Sequence, residues 1–341
     1  VVGKFAPLHR GHELVIRRAL AECAEVVILS YSSPELPGCE PERRERWLAE
    51  IFPEAKRLVL TDARLAGVLP GHPDWRALPP NDADGEIHRR FVAAVCLDGL
   101  GVTVDAVFTS EDYGDAFAAT LTACFRARNP RAPAVAHVCV DVARQQVPIS
   151  GTAIRADVDA HREWLSPAVR ASFVRRVCLL GGESSGKTTL AQALARDFAT
   201  SWVPEYGREL WEARGGALEL DDLLRIAETQ VVREEAAALT ANRVLFCDTS
   251  PLTTLLYCRH LFGGASAALE TLAARPYDLV VLCAPDFPFV QDGTREPPAF
   301  RDWQHDWYLE ALAERGIGPL LVTGDLAARR ARVRAALEER A

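Results

Sequence analysis

The sequence predicts an α/β chain of two domains, each built on a parallel sheet. Length is the first reason: 341 residues is long for one core, and two domains are the default expectation. The second is a set of short, wholly apolar runs separated by amphipathic stretches, because strands of a parallel sheet are covered on both faces. The third is a glycine-rich segment at mid-chain, residues 181–189, which joins such a run to a helical pattern. No internal repeat is evident, so the halves share a fold class without sharing a motif. The expected domains are 1–170 and 171–341, joined by a short connector over 170–176 without a Gly/Ser tract.

Composition narrows the function classes. Hydrophobic content of 49% and charged content of 25% are those of a soluble globular protein. A net charge of −8 argues against a nucleic-acid-binding surface. The 9 cysteines show no C-x-x-C, and Cys178, Cys247 and Cys283 sit in apolar runs as small buried hydrophobes. Reduced thiols in a cytoplasm follow. No run reaches the ~18–20 apolar residues of a membrane helix, and no signal peptide is visible. The chain starts at Val1 and holds no Met, which reads as a trimmed natural N-terminus. A homo-oligomer is compatible with all of this.

The chain opens with Val1-Val2-Gly3-Lys4-Phe5-Ala6-Pro7-Leu8-His9-Arg10-Gly11-His12. A short strand breaks into a loop, and a helix follows over 13–23, apolar at Leu14, Val15, Ala19 and Leu20. His9 and His12 stand at the helix entrance, where free N–H groups and the positive dipole end attract anions. An imidazole donates hydrogen bonds to phosphoryl oxygens, charged or neutral. Capping plus solvation is the plain alternative; a metal pair would need further ligands, and none is close in sequence. Residues 25–31 read as a second strand and 58–61 as a third. Between them a helix starts at Glu40-Pro41, with proline at its first turn. Its charges read as a solvated face, with Arg43 or Arg46 as candidate phosphate contacts. Residues 66–84, with Pro70, Pro73, Pro79 and Pro80, read as a loop. Residues 106–114 read as a strand ending in the polar turn Ser110-Glu111-Asp112-Tyr113-Gly114, either ligand-facing or capping. In Ile149-Ser150-Gly151-Thr152-Ala153-Ile154-Arg155, Ser150 caps a short helix and Arg155 offers a guanidinium to phosphates.

In the second half, Val177-Cys178-Leu179-Leu180 reads as a buried strand and residues 190–195 as a helix. Between them stand Gly181-Gly182-Glu183-Ser184-Ser185-Gly186-Lys187-Thr188-Thr189, a G-x-x-x-x-G-K-[ST] pattern in the context it requires. Its N–H groups and the helix's positive end would cradle a phosphate chain. Lys187 would reach the β- and γ-phosphates, and Thr188 would bind Mg²⁺. Residues 201–209 read as a strand ending in a polar loop that holds Glu205, Tyr206 and Arg208. Val244-Leu245-Phe246-Cys247-Asp248 is a buried strand with an acid at its end, the usual partner acid for Mg²⁺ beside a phosphate loop. Residues 279–283 are a further strand. Asp292-Gly293-Thr294-Arg295, with Arg301 just beyond, resembles an arginine-bearing lid that closes on a γ-phosphate; the plain alternative is a surface loop with solvated arginines. Residues 320–325 form the last strand and a turn holding Thr323, and 326–340 an amphipathic packing helix.

The opening stretch resembles the G-x-F-x-P-x-H-x-G-H signature of the nucleotidyltransferase superfamily that includes nicotinamide mononucleotide adenylyltransferases. Gly3, Phe5, Pro7, His9, Gly11 and His12 fill every fixed position. Residues 149–155 resemble its second signature, I-S-x-T-x-I-R. The Ser-Glu-x-Tyr-Gly turn, the Asp-Gly-x-Arg segment and Asp248-Thr249-Ser250-Pro251-Leu252-Thr253-Thr254 resemble segments of bifunctional NadR-type proteins, except that Ser250 replaces an Asp. The resemblance spans nearly the whole chain. It implies an N-terminal Rossmann-like nucleotidyltransferase domain and a C-terminal P-loop kinase domain, acting in NAD salvage. The kinase would phosphorylate nicotinamide riboside with ATP and Mg²⁺, and the first domain would adenylate the mononucleotide to NAD. It implies that Gly3, Lys4, Phe5, Gly11, Ser150, Thr152 and Arg155 bind the first ATP, with His9 and His12 catalytic. It implies that residues 181–189, Arg295 and Thr323 bind the second ATP, with Lys187, Asp248 and Glu205 catalytic. The nicotinamide ring is cationic and prefers an aromatic face, for which Trp75, Trp47, Trp202, Trp211 and Tyr206 are candidates, with Arg208 toward the substrate. Two other readings are a nucleotide-sensing regulator, disfavoured because no helix-turn-helix precedes Gly3, and a kinase with a degenerate N-terminal module, disfavoured because the signatures are intact.

Overall fold

A computed structural model of the chain describes residues 1–290 and 297–339. It divides into two compact units, Val1–Ser172 and Phe173–Ala341. The first unit runs β1 (Val2–Gly3), α1 (Arg10–Glu22), β2 (Val27–Ser30), α2 (Pro41–Ile51), β3 (Lys56–Val59), α3 (Asp62–Val68), α4 (Gly85–Ala94), β4 (Ala106–Thr109), α5 (Gly114–Arg128), β5 (Ala136–Cys139), α6 (Gly151–Ala156) and α7 (Pro167–Ala171). Its strands make two parallel sheets, β1-β2-β3 and β4-β5. The apolar residues of β2 and β4 close on helices α4 and α5 through Leu29, Phe91, Val107, Leu121 and Phe125, all buried. Each such side chain stabilises the unit by roughly 1.5–3 kcal/mol when fully buried.

The second unit runs β6 (Arg175–Leu180), α8 (Lys187–Asp197), β7 (Trp202–Val203), α9 (Tyr206–Ala213), α10 (Leu220–Ala238), β8 (Val244–Asp248), α11 (Pro251–Phe262), α12 (Ala267–Ala273), β9 (Leu279–Cys283), α13 (Pro298–Glu314), β10 (Leu320–Val322) and α14 (Leu326–Glu338). One parallel sheet, in the order β10-β9-β6-β8-β7, carries it. Alternation along β6 sends Val177 and Leu179 to the layer of α8 and α14, and Cys178 and Leu180 to the layer of α10, α11 and α13, as the period of two requires. Cys178, Cys247 and Cys283 are free and fully buried, as their apolar neighbours imply. Among the described residues no helix is long and apolar enough to cross a membrane.

Several local expectations are corrected. Residues 62–68 are helical, because Thr61 caps them by accepting from Arg64 N at 3.2 Å; the loop begins only after α3. Residues 206–213 are helix, not polar loop, since Leu210 packs inward against α10. The connector shrinks to residues 172–174, between α7 and β6. The charge run of α2 is not a uniformly solvated face. Arg44 is fully buried and donates to both Glu35 oxygens at 2.7 Å and to Ser30 Oγ at 2.8 Å.

Candidate active sites

In the second unit the parallel register sets the site. Leu179 of β6 stands beside Asp248 of β8, so the strand that enters the glycine loop has the acid as its neighbour. The loop turns tightly: Gly181 has φ +143, and a Cβ there would lie 2.7 Å from the Cys283 carbonyl oxygen. At Gly182 a Cβ would meet the Arg301 carbonyl oxygen at 2.5 Å. Only glycine permits either approach. Gly186 then enters α8 at φ +79, which leaves the first N–H groups of that helix facing the loop.

The side chains converge on this turn. Lys187 Nζ donates to the carbonyls of Gly181 and Gly182 at 2.9 and 3.0 Å. Thr188 Oγ1 donates to Asp248 Oδ2 at 2.6 Å. Ser185 Oγ donates to the Gly182 carbonyl at 2.7 Å, and Ser184 Oγ accepts from Val290 N at 3.0 Å. Burial raises Asp248 above the ordinary carboxylate range, opposed by Lys187 and the Thr188 hydrogen bond. Burial likewise raises Glu205, with Lys187 opposing and the charge on Asp248 adding to the rise. Glu183 belongs to a closed ring of hydrogen bonds: its N–H donates to Gln304 Oε1 at 2.8 Å, Gln304 Nε2 donates to Tyr257 Oη at 3.0 Å, and Tyr257 Oη donates to Glu183 Oε1 at 2.8 Å. Sequence reading missed Tyr257 and Gln304. Ser250 accepts from Leu252 N at 3.3 Å and caps α11, a task that Asp would serve equally.

Several of the other expected residues are solvent-exposed. Thr189 is exposed in the first turn of α8, and Thr323 is exposed after β10. Arg208 is exposed on α9. One face of the Tyr206 ring is covered by the Arg233 guanidinium, 4.5 Å from its centroid. Trp202 packs into the core layer of α8, and Trp211 lies half-buried on α9 against the Gly216 turn. Arg301 is buried and donates to the Phe287 carbonyl at 2.9 Å, so it anchors the start of α13. Arg295, with Asp292, Gly293 and Thr294, lies outside the described residues.

In the first unit the site gathers at the C-terminal ends of β1, β4 and β5. His9 caps α1, its Nδ1 accepting from Gly11 N at 3.1 Å. A Cβ on Gly11 would stand 3.0 Å from the His9 ring, so the cap favours glycine there. The His9 and His12 rings stack with centroids 3.7 Å apart. Burial, with help from Arg144 and Arg155, pushes His9 down to about 4. Burial and the neighbouring His9 push His12 down as well, so both rings are neutral near pH 7. Ser150 caps α6 by accepting from Ala153 N at 3.1 Å. Arg155 Nη1 donates to the Ala6 carbonyl at 2.5 Å and Nη2 to Thr152 Oγ1 at 3.1 Å. Lys4 follows Gly3 at the end of β1; burial lowers its ammonium, and Arg155 lowers it further. Phe5 is buried at φ 48 and packs edge-on to His12 at 5.1 Å. His9 and His12 line a pocket of about 90 Å³ together with Ser110, Glu111, Arg144 and Ser150.

The turn 110–111 is therefore at the pocket. His137 sets it: one ring nitrogen bonds Asp115 at 2.8 Å and the other Thr109 Oγ1 at 2.9 Å, and Thr109 Oγ1 donates to the Glu111 carbonyl at 3.0 Å. Asp141 and Arg144 were invisible to sequence reading. Trp47 is fully buried, its Nε1 donating to Ser172 Oγ at 2.8 Å, and offers no face to a ligand. Trp75 is half-buried and packs edge-on against Phe91, 5.3 Å between centroids. Arg43 is held by the Ser172 carbonyl at 3.0 Å and Glu40 at 3.2 Å, while Arg46 is exposed. Among the described residues no group of three His, Cys, Asp or Glu side chains is placed to hold a metal.

A strand, a glycine cradle with its lysine, and a neighbouring acid define an α/β protein of the P-loop class. The family model of an AAA domain matches residues 176–329. The chain is 31% identical over 312 residues, 86% of its length and 70% of the relative's, to the trifunctional NAD biosynthesis/regulator protein NadR of Escherichia coli (strain K12). It is 30% identical over 311 residues to the protein of the same name from Salmonella typhimurium, with the same shares covered. It belongs to the NadR family. In fold it is similar to a crystal structure of NadR protein in complex with NAD and AMP-PNP, at a TM-score of 0.65 and 24% identity over 99% of this chain and 94% of that one. A second NadR structure, in complex with NR, gives a TM-score of 0.66 at 23% identity over the same shares.

Proposed function

We propose that the chain is a bifunctional enzyme of NAD salvage that uses ATP at two separate sites. Residues 173–341 would be a P-loop kinase that phosphorylates nicotinamide riboside to the mononucleotide. Residues 1–172 would be a Rossmann-like nucleotidyltransferase that joins the mononucleotide to AMP from a second ATP, giving NAD and pyrophosphate. What supports this reading is that each unit gathers its own set of groups suited to phosphate, residues 181–188 with Asp248 in one and His9, His12 and Ser150 with Arg155 close by in the other, in a chain of the NadR family.

In the kinase the loop amides and Lys187 position the phosphate chain, and positioning with charge neutralisation is most of phosphoryl transfer. Thr188 and Asp248 would hold Mg²⁺, and the residues fit: Asp248 Oδ1 is buried and has no hydrogen-bond partner among the described residues. Bound there, the ion would neutralise charge between the β- and γ-phosphates. The acceptor hydroxyl must lose a proton, and the raised carboxylates Glu205 and Asp248 are the groups that can take it. In the adenylyltransferase the mononucleotide's own phosphate attacks, so no base is needed. The neutral His9 and His12 donate hydrogen bonds to the ATP phosphates, while Lys4 and Arg155 supply charge. Trp75 is the aromatic candidate for the cationic ring there.

Incubation with ATP, Mg²⁺ and either the riboside or the mononucleotide tests the reading. NAD should form from the mononucleotide and ATP alone. Consumption of ATP with the riboside, but no NAD from the mononucleotide, would leave the first unit as a binding module.

A further inference from the structure

The first unit carries an ion pair at the mouth of its pocket that the proposed reaction does not use. Arg144 Nη2 donates to Glu111 Oε1 at 2.9 Å, and Nη1 reaches the Ile149 carbonyl at 3.4 Å. The side chains are 42% and 44% exposed, so the pair itself adds little to stability. Yet the backbone beneath it is specifically built. Asp141 and Arg144 both have positive φ, 55 and 51, which residues with side chains adopt reluctantly. The Asp141 carboxylate holds this loop by accepting from the N–H groups of Gln145, Gln146 and Val147 at 2.8–3.2 Å. Asp141 is thereby committed to its own loop. The result is a guanidinium at the pocket rim, beside His9, Ser150 and Gly151.

Among the described residues that line the pocket, Arg144 is the only lysine or arginine. The histidines are neutral near pH 7, and Arg155 is tied to Ala6 and Thr152. A triphosphate entering this pocket brings several negative charges, and a planar guanidinium matches phosphate oxygens two at a time.

We propose that Arg144 binds the triphosphate of the nucleotide in this unit, and that Glu111 is a competing counter-charge that weakens that binding. The proposal rests on the adenylyltransferase reading above. On binding, Arg144 exchanges the Glu111 carboxylate for phosphate, and Glu111 is left as a nearby negative charge. The two residues of one ion pair therefore have opposite effects, which a purely structural pair would not show.

The test is the KM for ATP in NAD synthesis from the mononucleotide, with thermal melts to check folding. Arg144→Gln should raise that KM by about tenfold or more, the usual cost of a lost charge-assisted hydrogen bond. Arg144→Lys should recover part of the loss, and Glu111→Gln should lower the KM by about two- to threefold. A KM unchanged in Arg144→Gln, or raised equally by Arg144→Gln and Glu111→Gln, overturns the proposal. Should the parent chain make no NAD, the reaction reading fails, and calorimetric titration with ATP decides the proposal. In a Lys187→Ala background the phosphate loop contributes little, and Arg144→Gln must then weaken the remaining ATP binding.

Discussion

In the second unit the groups around the phosphate loop come from one stretch, residues 181–188, and one strand end, Asp248. In the first unit they come from three strand ends: His9 and Gly11 after β1, Ser110 and Glu111 after β4, Asp141, Arg144 and Ser150 after β5. The contiguous site carries its shape in its own backbone, in the glycines at 181, 182 and 186. The dispersed site has no such local code. It depends on caps, such as His9 on α1 and Ser150 on α6, and on the sheets that bring those caps together. Electrostatics differ in the same way. Burial raises the acids around Lys187 and lowers the histidines of the first unit, so one site concentrates a cation among proton-hungry carboxylates and the other holds neutral donors.

The largest expected effect separates the two sites. Lys187→Ala should reduce riboside phosphorylation by about a hundredfold or more, the scale on which deletion of a transition-state charge partner acts. NAD synthesis from the mononucleotide should survive. Asp248→Asn should cripple the same step, because it removes the carboxylate charge while its amide oxygen can still accept from Thr188. His12→Ala should do the reverse and spare phosphorylation. Each variant is assayed on each substrate, with folding checked by melting. If Lys187→Ala abolished both reactions in a folded chain, the two sites would not be independent, and the comparison itself would break.

A smaller effect should follow from the ring that ties Glu183 to α11 and α13. Tyr257→Phe removes the donor to Glu183 and leaves Gln304 Nε2 without that acceptor. Both groups are buried in part, and unpaired polar groups there cost about 1–3 kcal/mol. Riboside phosphorylation should fall roughly tenfold, through the KM for ATP more than through kcat, because the loop loses its hold before it loses its lysine. The KM–kcat split decides it: an equal fall in kcat with KM unchanged would place Tyr257 in the chemical step instead.

How much of this was legible in the sequence follows the same division. Lys187, Thr188 and Asp248 could be read because a contiguous pattern and a strand end specify them, and the register of β6 with β8 then brings them together. His9, His12, Ser150 and Arg155 could be read from their places at two helix entrances and from the two signatures, but not as one site. Arg144 and Glu111 meet across 33 residues, and Tyr257 and Gln304 across 47, through pairings that no local pattern encodes. Arg44 shows the limit from the other side. Within a run of charges the sequence gives no sign that one arginine is buried against Glu35 and Ser30 while Arg46 is exposed. Trp47 fails similarly, since a tryptophan on an amphipathic helix can serve core or ligand, and burial alone decides.

The smallest effect is on stability, and it comes from His9. In the folded chain its imidazole titrates at about 4, below the ordinary 6.5, so the unfolded chain takes up the proton first as pH falls. Stability is then fully present above about pH 6.5 and is lost as pH drops toward 4. Asp248 and Glu205 are raised instead, so their contribution is present in acid and lost as pH rises through their folded values. The two units should therefore respond to acid with opposite signs at these groups. His9→Asn isolates the first: asparagine caps a helix as well but does not titrate. A tenfold difference in proton affinity between the folded and unfolded chains is worth about 1.4 kcal/mol, or roughly 3–6 °C for a unit of about 150–250 residues. Melting temperature measured from pH 7.5 to 5 should fall less steeply in His9→Asn than in the parent chain, by a few degrees over the interval. Parallel slopes would mean that the imidazole is not held neutral, and the contrast between a site of neutral donors and a site of raised acids would lose its first half.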